Sequence, residues 1–261
     1  MALSQLQKQT IAQLLERKID AKLMKYLRES TSMPFLSRLM QDSEKVASYS
    51  FIHSLATSLG MSIYEDVSKI IASEYSEECF TKYGVGGVIS KQQKSVIADV
   101  ITQLRNSPHK KSNIKEEIEK VLKASSINGK YQKSGNIADF YMKRDNEEYY
   151  FEIKTVKPNI DVFKESKTKL LEWVARKRKK IKVYLAFPYN PYHPQPYTRF
   201  TMQNMMDPGN DFLVGDEYWD FLGGKNTFTE LLNVFDNVGK KYKERISDKI
   251  REVAKIKIET Y

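Results

Sequence analysis

Apolar residues recur at intervals of three and four through residues 3–28, where Leu6, Ile11, Leu14, Leu15, Ile19, Leu23 and Leu27 share one side. That spacing predicts an amphipathic helix. The same period predicts a second helical region over 43–73, interrupted near Gly60, and two more helices over 91–105 and 113–124, the last capped by Asn113. At Ile137 the period changes. Through Thr155 apolar and polar positions alternate as in a half-buried strand, with one break at 144–147, which predicts a hairpin. Helical spacing returns over 161–180, with Asp161 near its start and a basic run at its end, as the helix dipole favours. IKVYLAFP at 181–188 reads as a buried strand, and the proline- and tyrosine-rich YNPYHPQPYTRF as an ordered loop. A capped amphipathic helix is expected from about Thr227. With no internal repeat and no glycine-serine linker, the chain reads as one compact unit: a mainly helical region at 1–112, then a second region at 113–261.

Composition narrows the class. The 261 residues are 41% hydrophobic, enough for one sizeable core or two modest ones. Lys plus Arg number 43 against 33 Asp plus Glu, a formal net charge of +10, which draws the surface toward polyanions, nucleic acid first among them. A solvated basic surface with no partner explains the same charge. Cys79 is the only cysteine, which excludes an intrachain disulfide and a zinc site of paired thiolates and suits a reducing cytoplasm. No apolar run approaches membrane-spanning length, and the N-terminus lacks a basic segment followed by an apolar core. The expectation is a cytoplasmic protein with no membrane partner.

The hairpin carries the chemistry. Centring its turn on Asp145 and Asn146, both tolerant of positive φ, sets Ala138 opposite Ile153, Phe140 opposite Phe151 and Met142 opposite Tyr149 on an apolar face. The other face then sets Asp139 opposite Glu152, Tyr141 opposite Tyr150 and Lys143 opposite Glu148. Two directly opposed carboxylates, with Cβ atoms about 4.5–5.5 Å apart, destabilise the strand pair unless something neutralises them. A divalent cation does so. Lys154 lies on the same face as Glu152, two residues on. Two acids and a lysine on one patch can hold Mg²⁺, orient a water and stabilise charge developing on a phosphate. A glutamate and a lysine at alternate positions are otherwise an ordinary solvated strand face.

The order Asp139, hairpin, Glu152-Ile153-Lys154, helix, strand resembles the PD-(D/E)XK nuclease superfamily, with Ala138-Asp139 where Pro-Asp is usual. FEIKTVKPN at 151–159, KTKLLEWVARK at 167–177, FPYNPY at 187–192 and YWDFLGGKNTFTELLNVFDNVGK at 218–240 are similar to the TdeIII-like type II restriction endonucleases. TSLGMSIYEDV at 57–67 looks like a helix motif near the start of several restriction enzymes. The resemblance implies a mixed α+β, restriction-endonuclease-like core with a central mixed sheet flanked by helices. It also implies Mg²⁺-dependent hydrolysis of double-stranded DNA at a short palindrome, GGNCC for this group, by a homodimer with a companion methyltransferase as genetic partner. Asp139 and Glu152 become ligands for one or two Mg²⁺ ions, Lys154 the group that positions or activates the water, and Ile153 a backbone-carbonyl donor. Glu65 becomes an additional helix-borne acid. A junction resolvase or repair nuclease of the same fold would share these residues, and a non-catalytic nucleic-acid-binding protein remains the alternative from another class.

Further candidates follow from position. Lys164, Lys167, Lys169 and the residues from Arg176 to Lys180 could track the phosphate backbone, although a solvated helix end explains the last ones as well. Arg199, Gln203 and Asn204 are candidate base readers, and Lys157 and Asn159 follow the candidate catalytic strand toward DNA. Trp173 and Trp219 read as core anchors, the glycines at 84–87 as a turn, and the three scattered histidines as ordinary residues.

Overall fold

A computed structural model describes residues 3–26, 34–107, 109–125, 129–130, 133–154, 158–198 and 204–254. They form two compact units: the described residues of Leu3–Tyr64 with Thr229–Tyr261, and those of Glu65–Phe228. The first unit thus draws on both ends of the chain, up to Tyr64 and again from Thr229.

In the first unit, α1 (Gln5–Lys25) opens on a capping box: the Gln7 backbone N–H donates to Ser4 Oγ, and the Ser4 N–H donates to Gln7 Oε1. It buries Ile11, Leu14, Leu15 and Leu23. Two helices follow, α2 (Pro34–Met40) and α3 (Ser43–Ser58). The interruption expected near Gly60 is a π-helical segment, Leu59–Ile63.

The second unit contains α4 (Tyr64–Ala72), β1 (Glu78–Gly84), β2 (Ile89–Ser90), α5 (Lys91–Asn106), α6 (Ile114–Lys123) and β3 (Gly129–Lys130). Next come β4 (Ile137–Arg144), β5 (Glu147–Ile153), α7 (Ile160–Lys177), β6 (Lys182–Phe187), β7 (Phe212–Val214) and α8 (Asp216–Gly223). The chain then enters α9 (Thr227–Ala254), where Tyr242 donates to Asp20 Oδ2 and Lys8 pairs with Glu230 inside the first unit.

The five-stranded sheet has the order β1-β4-β5-β6-β7, antiparallel across its first two pairs and parallel across the last two. It is the expected mixed sheet flanked by helices. Asp145 and Asn146 both have positive φ, and the hairpin keeps the expected register from Arg144–Glu147 to Phe140–Phe151. The ladder's traced pairs stop there. Just beyond it, the Asp139 side chain accepts a hydrogen bond from the backbone N–H of Ile153, 2.8 Å away.

Both sheet faces are covered. On one, Tyr141, Tyr150, Val183 and Leu185 pack into a cluster with Ile97 and Leu104 of α5 and Leu170 and Val174 of α7. Tyr141 and Tyr150 are therefore core residues, on the face the alternation assigned to polar groups. On the other, the Phe151 ring meets Tyr218 and Phe221 of α8, and the Tyr218 hydroxyl lies 2.7 Å from Ser68 Oγ of α4. The parallel step from β5 to β6 requires a crossover, and α7 supplies it.

One charged cluster lies within this core. Lys167 of α7, expected at a DNA phosphate, has no exposed surface. Its ammonium pairs with Asp211 and with Glu117 at 2.6 Å, and donates to Ser112 Oγ at 2.7 Å. It is withdrawn from the group of phosphate-facing candidates because these partners enclose it. Lys167→Met is expected to destabilise the protein by about 3–5 kcal/mol in urea unfolding, since it leaves two buried carboxylates without their cation.

One ammonium cannot balance two carboxylates, and burial pushes the Asp211 carboxyl up to about 6, although Lys167 acts in the opposite direction. A raised folded value means that the contribution to stability is complete below the unfolded value of 3.8 and is lost as pH rises through about 6. The stability of the wild type relative to Asp211→Asn, followed by urea unfolding across pH, is therefore expected to fall across that window and level off above it.

Candidate active site

Asp139 and Glu152 stand on neighbouring strands, one near the start of β4 and the other near the end of β5. Asp139 is half-buried and Glu152 only 3% exposed, because the helices that cover the sheet also cover this end of the hairpin. Lys154 follows β5 and is held by its backbone N–H, which donates to Ala186 O at 3.1 Å. Its ammonium lies 2.5 Å from Glu152 Oε1. The other oxygen, Oε2, is taken by the ammonium of Lys169, which reaches it from α7.

The electrostatics follow from that packing. Burial first, and then the negative charge of Glu152, raise the Asp139 carboxyl above the ordinary range; the Ile153 N–H, Lys169 and Lys154 work against the rise. Burial also raises Glu65 of α4, and Asp139 adds to it. Lys82, exposed in β1, opposes that rise. Burial disfavours the Lys154 ammonium, but the Glu152 carboxylate outweighs it and holds the group above its ordinary value. Lys154 is thus a cation at neutral pH: it can orient a water or steady a negative oxygen, and it is a poor proton acceptor.

Two carboxylates side by side, one half-buried and the other almost wholly buried, form a hard oxygen donor set of the kind Mg²⁺ takes. Among the described residues no three His, Cys, Asp or Glu side chains stand together at metal-ligand spacing. A cation at this place would find two carboxylate side chains, Asp139 and Glu152, and would have to complete its shell with backbone oxygen, water or substrate, as Mg²⁺ commonly does.

The remaining candidates separate. Asn159 is exposed and caps α7, its Oδ1 accepting from the Val162 N–H at 3.0 Å. Lys164 is partly exposed on the same helix, and Asn204 sits in a turn with φ of 71°. Lys157, Arg199 and Gln203 lie outside the described residues. Arg176 is buried, with Nη2 donating to Ser134 O at 2.9 Å, so it does not face a phosphate. Lys177 and Lys179 lie against Glu148, and Lys180 against Glu119. The two tryptophans are core anchors as expected: Trp173 donates to Gly135 O and Trp219 to Pro188 O.

Two site neighbours were not read from the sequence in this role. Lys169 looked like one more cation on a basic helix, and only the fold of α7 over β5 brings it to Glu152. Lys82 lies in β1, a strand missed because its half-exposed alternation, ECFTKYG, presents no apolar face. Its φ of 50° is a left-handed conformation uncommon within a strand.

A sequence profile described as "Type II restriction endonuclease, HinfI" matches residues 2–239. The type II restriction enzyme HgiCII of Herpetosiphon aurantiacus is 29% identical over 207 residues, covering 77% of this chain and 75% of the relative. HgiEI of the same organism is 27% identical with the same coverage. MjaII of Methanocaldococcus jannaschii is 28% identical over 208 residues, covering 73% of this chain and 54% of the relative. No solved structure matches the chain.

The cap on α7 yields a direct test. Asn159→Ala is expected to cost about 1 kcal/mol in urea unfolding, the usual loss on removing an N-cap, and Asn159→Ser to recover most of it.

Proposed function

Because the chain belongs to the HinfI family of type II restriction endonucleases, we propose that it hydrolyses both strands of duplex DNA at a short palindrome using a Mg²⁺ held by Asp139 and Glu152. The observation that carries this reading is the convergence of the two acids with Lys154 at one end of two inner strands, β4 and β5, in a member of a nuclease family. Their order along the chain supports a PD-(D/E)XK site. The stretches similar to TdeIII-like enzymes make GGNCC the site to test first.

Bound Mg²⁺ supplies a polarised phosphate and a water of lowered pKa. Asp139 and Glu152 provide the negative oxygens that hold it, and the Ile153 carbonyl is a further donor. Glu65, near enough to feel the charge on Asp139, is the candidate for an outer carboxylate acting through water. Lys154, kept charged by Glu152, orients the attacking water and steadies charge on the phosphate. The covered surroundings of Glu152 strengthen each of these interactions. Lys164 and Asn159, with Lys157 beyond the described residues, are the nearest proposed DNA contacts in the chain after β5. Arg199, Gln203 and Asn204 are the proposed base readers. A palindromic site is matched by a two-fold homodimer, and protection of the host genome calls for a companion methyltransferase.

Digestion of unmethylated plasmid with and without Mg²⁺, followed by sequencing of the fragment ends, tests this reading. Discrete fragments ending at one palindrome are expected, lost with chelator and reduced by about a hundredfold or more in Lys154→Ala, the range for removing one positioned charge. Metal-independent cutting, or cutting confined to branched DNA, would overturn it.

A further inference from the structure

Glu152 shows a feature that the proposed reaction leaves unexplained: both of its oxygens are already engaged. Lys154 comes from the end of the same strand and takes Oε1, whereas Lys169 comes from α7 and takes Oε2. Two ammonium groups face one carboxylate, with the second carboxylate, Asp139, beside it. Lys169 also acts on Asp139, offsetting part of the rise that burial and Glu152 impose. The four side chains therefore sum to zero charge. A divalent cation added to such a set leaves two uncompensated positive charges in a covered site, which is costly unless one ammonium withdraws.

Lys169 has a second partner within reach. Its Nζ lies 5.5 Å from the centroid of the Trp173 ring, one helical turn along, at a separation where a cation is attracted to the ring face. That ring is fixed. Trp173 is fully buried and its indole N–H donates to Gly135 O at 2.8 Å. Gly135 has φ of 68°, and a Cβ there would lie 2.7 Å from Glu172 Oε2, so the backbone of this position suits glycine. Lys169 is also 23% exposed, which gives its ammonium a route to solvent. Lys154 is the more exposed of the two, at 39%, and differs in standing two residues after Glu152 on the same run of chain, so that its ammonium approaches from the strand and not from the helix.

We infer that Lys169 is a positioning residue: it holds the Glu152 carboxylate by occupying the oxygen that a divalent cation takes, so that the cation and the Lys169 ammonium compete for Glu152. The inference rests on the reading of Asp139 and Glu152 as metal donors. It gives α7 a part in the site beyond its role as the crossover between β5 and β6. Before metal arrives, Lys169 pairs with the buried Glu152 carboxylate and keeps it in place; on binding, it turns to the Trp173 face and solvent. Removing it lowers the cost of bringing the cation in.

The test is calorimetric titration of the full chain with Mn²⁺, without DNA, comparing wild type, Lys169→Met, Lys169→Arg and Asp139→Asn. Lys169→Met is expected to bind Mn²⁺ about fivefold or more tightly than wild type, the low end of an ordinary coupling between two ligands. Lys169→Arg, which keeps the charge, is expected to stay close to wild type, and Asp139→Asn to bind weakly. Lys169→Gln replaces the methionine variant if the latter does not fold. An affinity in Lys169→Met equal to or weaker than wild type, with Asp139→Asn still impaired, overturns this inference alone and leaves Lys169 as a structural contact. Mn²⁺ binding that ignores Asp139→Asn overturns the metal reading and this inference together.

Discussion

Glu152 is 3% exposed, and a carboxylate removed from water to that degree keeps its negative charge only if positive charge is supplied within hydrogen-bonding reach. Lys154 and Lys169 supply it, one on each oxygen. The arrangement has two consequences. The Glu152 carboxylate is held beside a second acid, so that two carboxyl groups stand together at one end of the hairpin. Lys154 is held as a cation, which makes it a group that orients and stabilises charge in place of one that accepts a proton.

The fold serves this placement through α7. As the crossover between two parallel strands, it lies over the sheet face that Tyr150 and Leu185 present, and its apolar side joins that core. Residues two apart on a helix point to different sides. Lys167 accordingly turns inward to Glu117 and Asp211, while Lys169 turns to Glu152. The inner ion cluster fixes the helix against α6 and the segment before β7, and the Asn159 cap fixes its start. A carboxylate on one strand and a lysine on a helix can meet reliably only if the helix cannot slide.

Much of this was legible along the chain. The turn at Asp145 and Asn146 determined the hairpin register, because two positive-φ residues between alternating strands permit few other arrangements. The helices capped by Asn113 and starting near Thr227, and the strand after α7, were visible for similar local reasons. What was hidden depends on tertiary packing. β1 is an edge strand with no fully buried position, so it carries no apolar signal. Tyr141 and Tyr150 alternate with apolar neighbours yet are buried, because a second helical layer covers their face. Lys167 and Lys169 look alike in a basic helix, and their opposite fates follow from what the helix packs against.

The most direct test of the account is the anomalous signal from a crystal of the full chain grown with Mn²⁺ and an uncleavable duplex. The account expects a peak at ordinary metal-ligand distance from oxygens of both Asp139 and Glu152, about 2.0–2.2 Å, as for a small octahedral cation. It also expects Lys154 to remain at the site and the Lys169 ammonium to have left Glu152. A metal bound elsewhere, with both lysines still on Glu152, would contradict it.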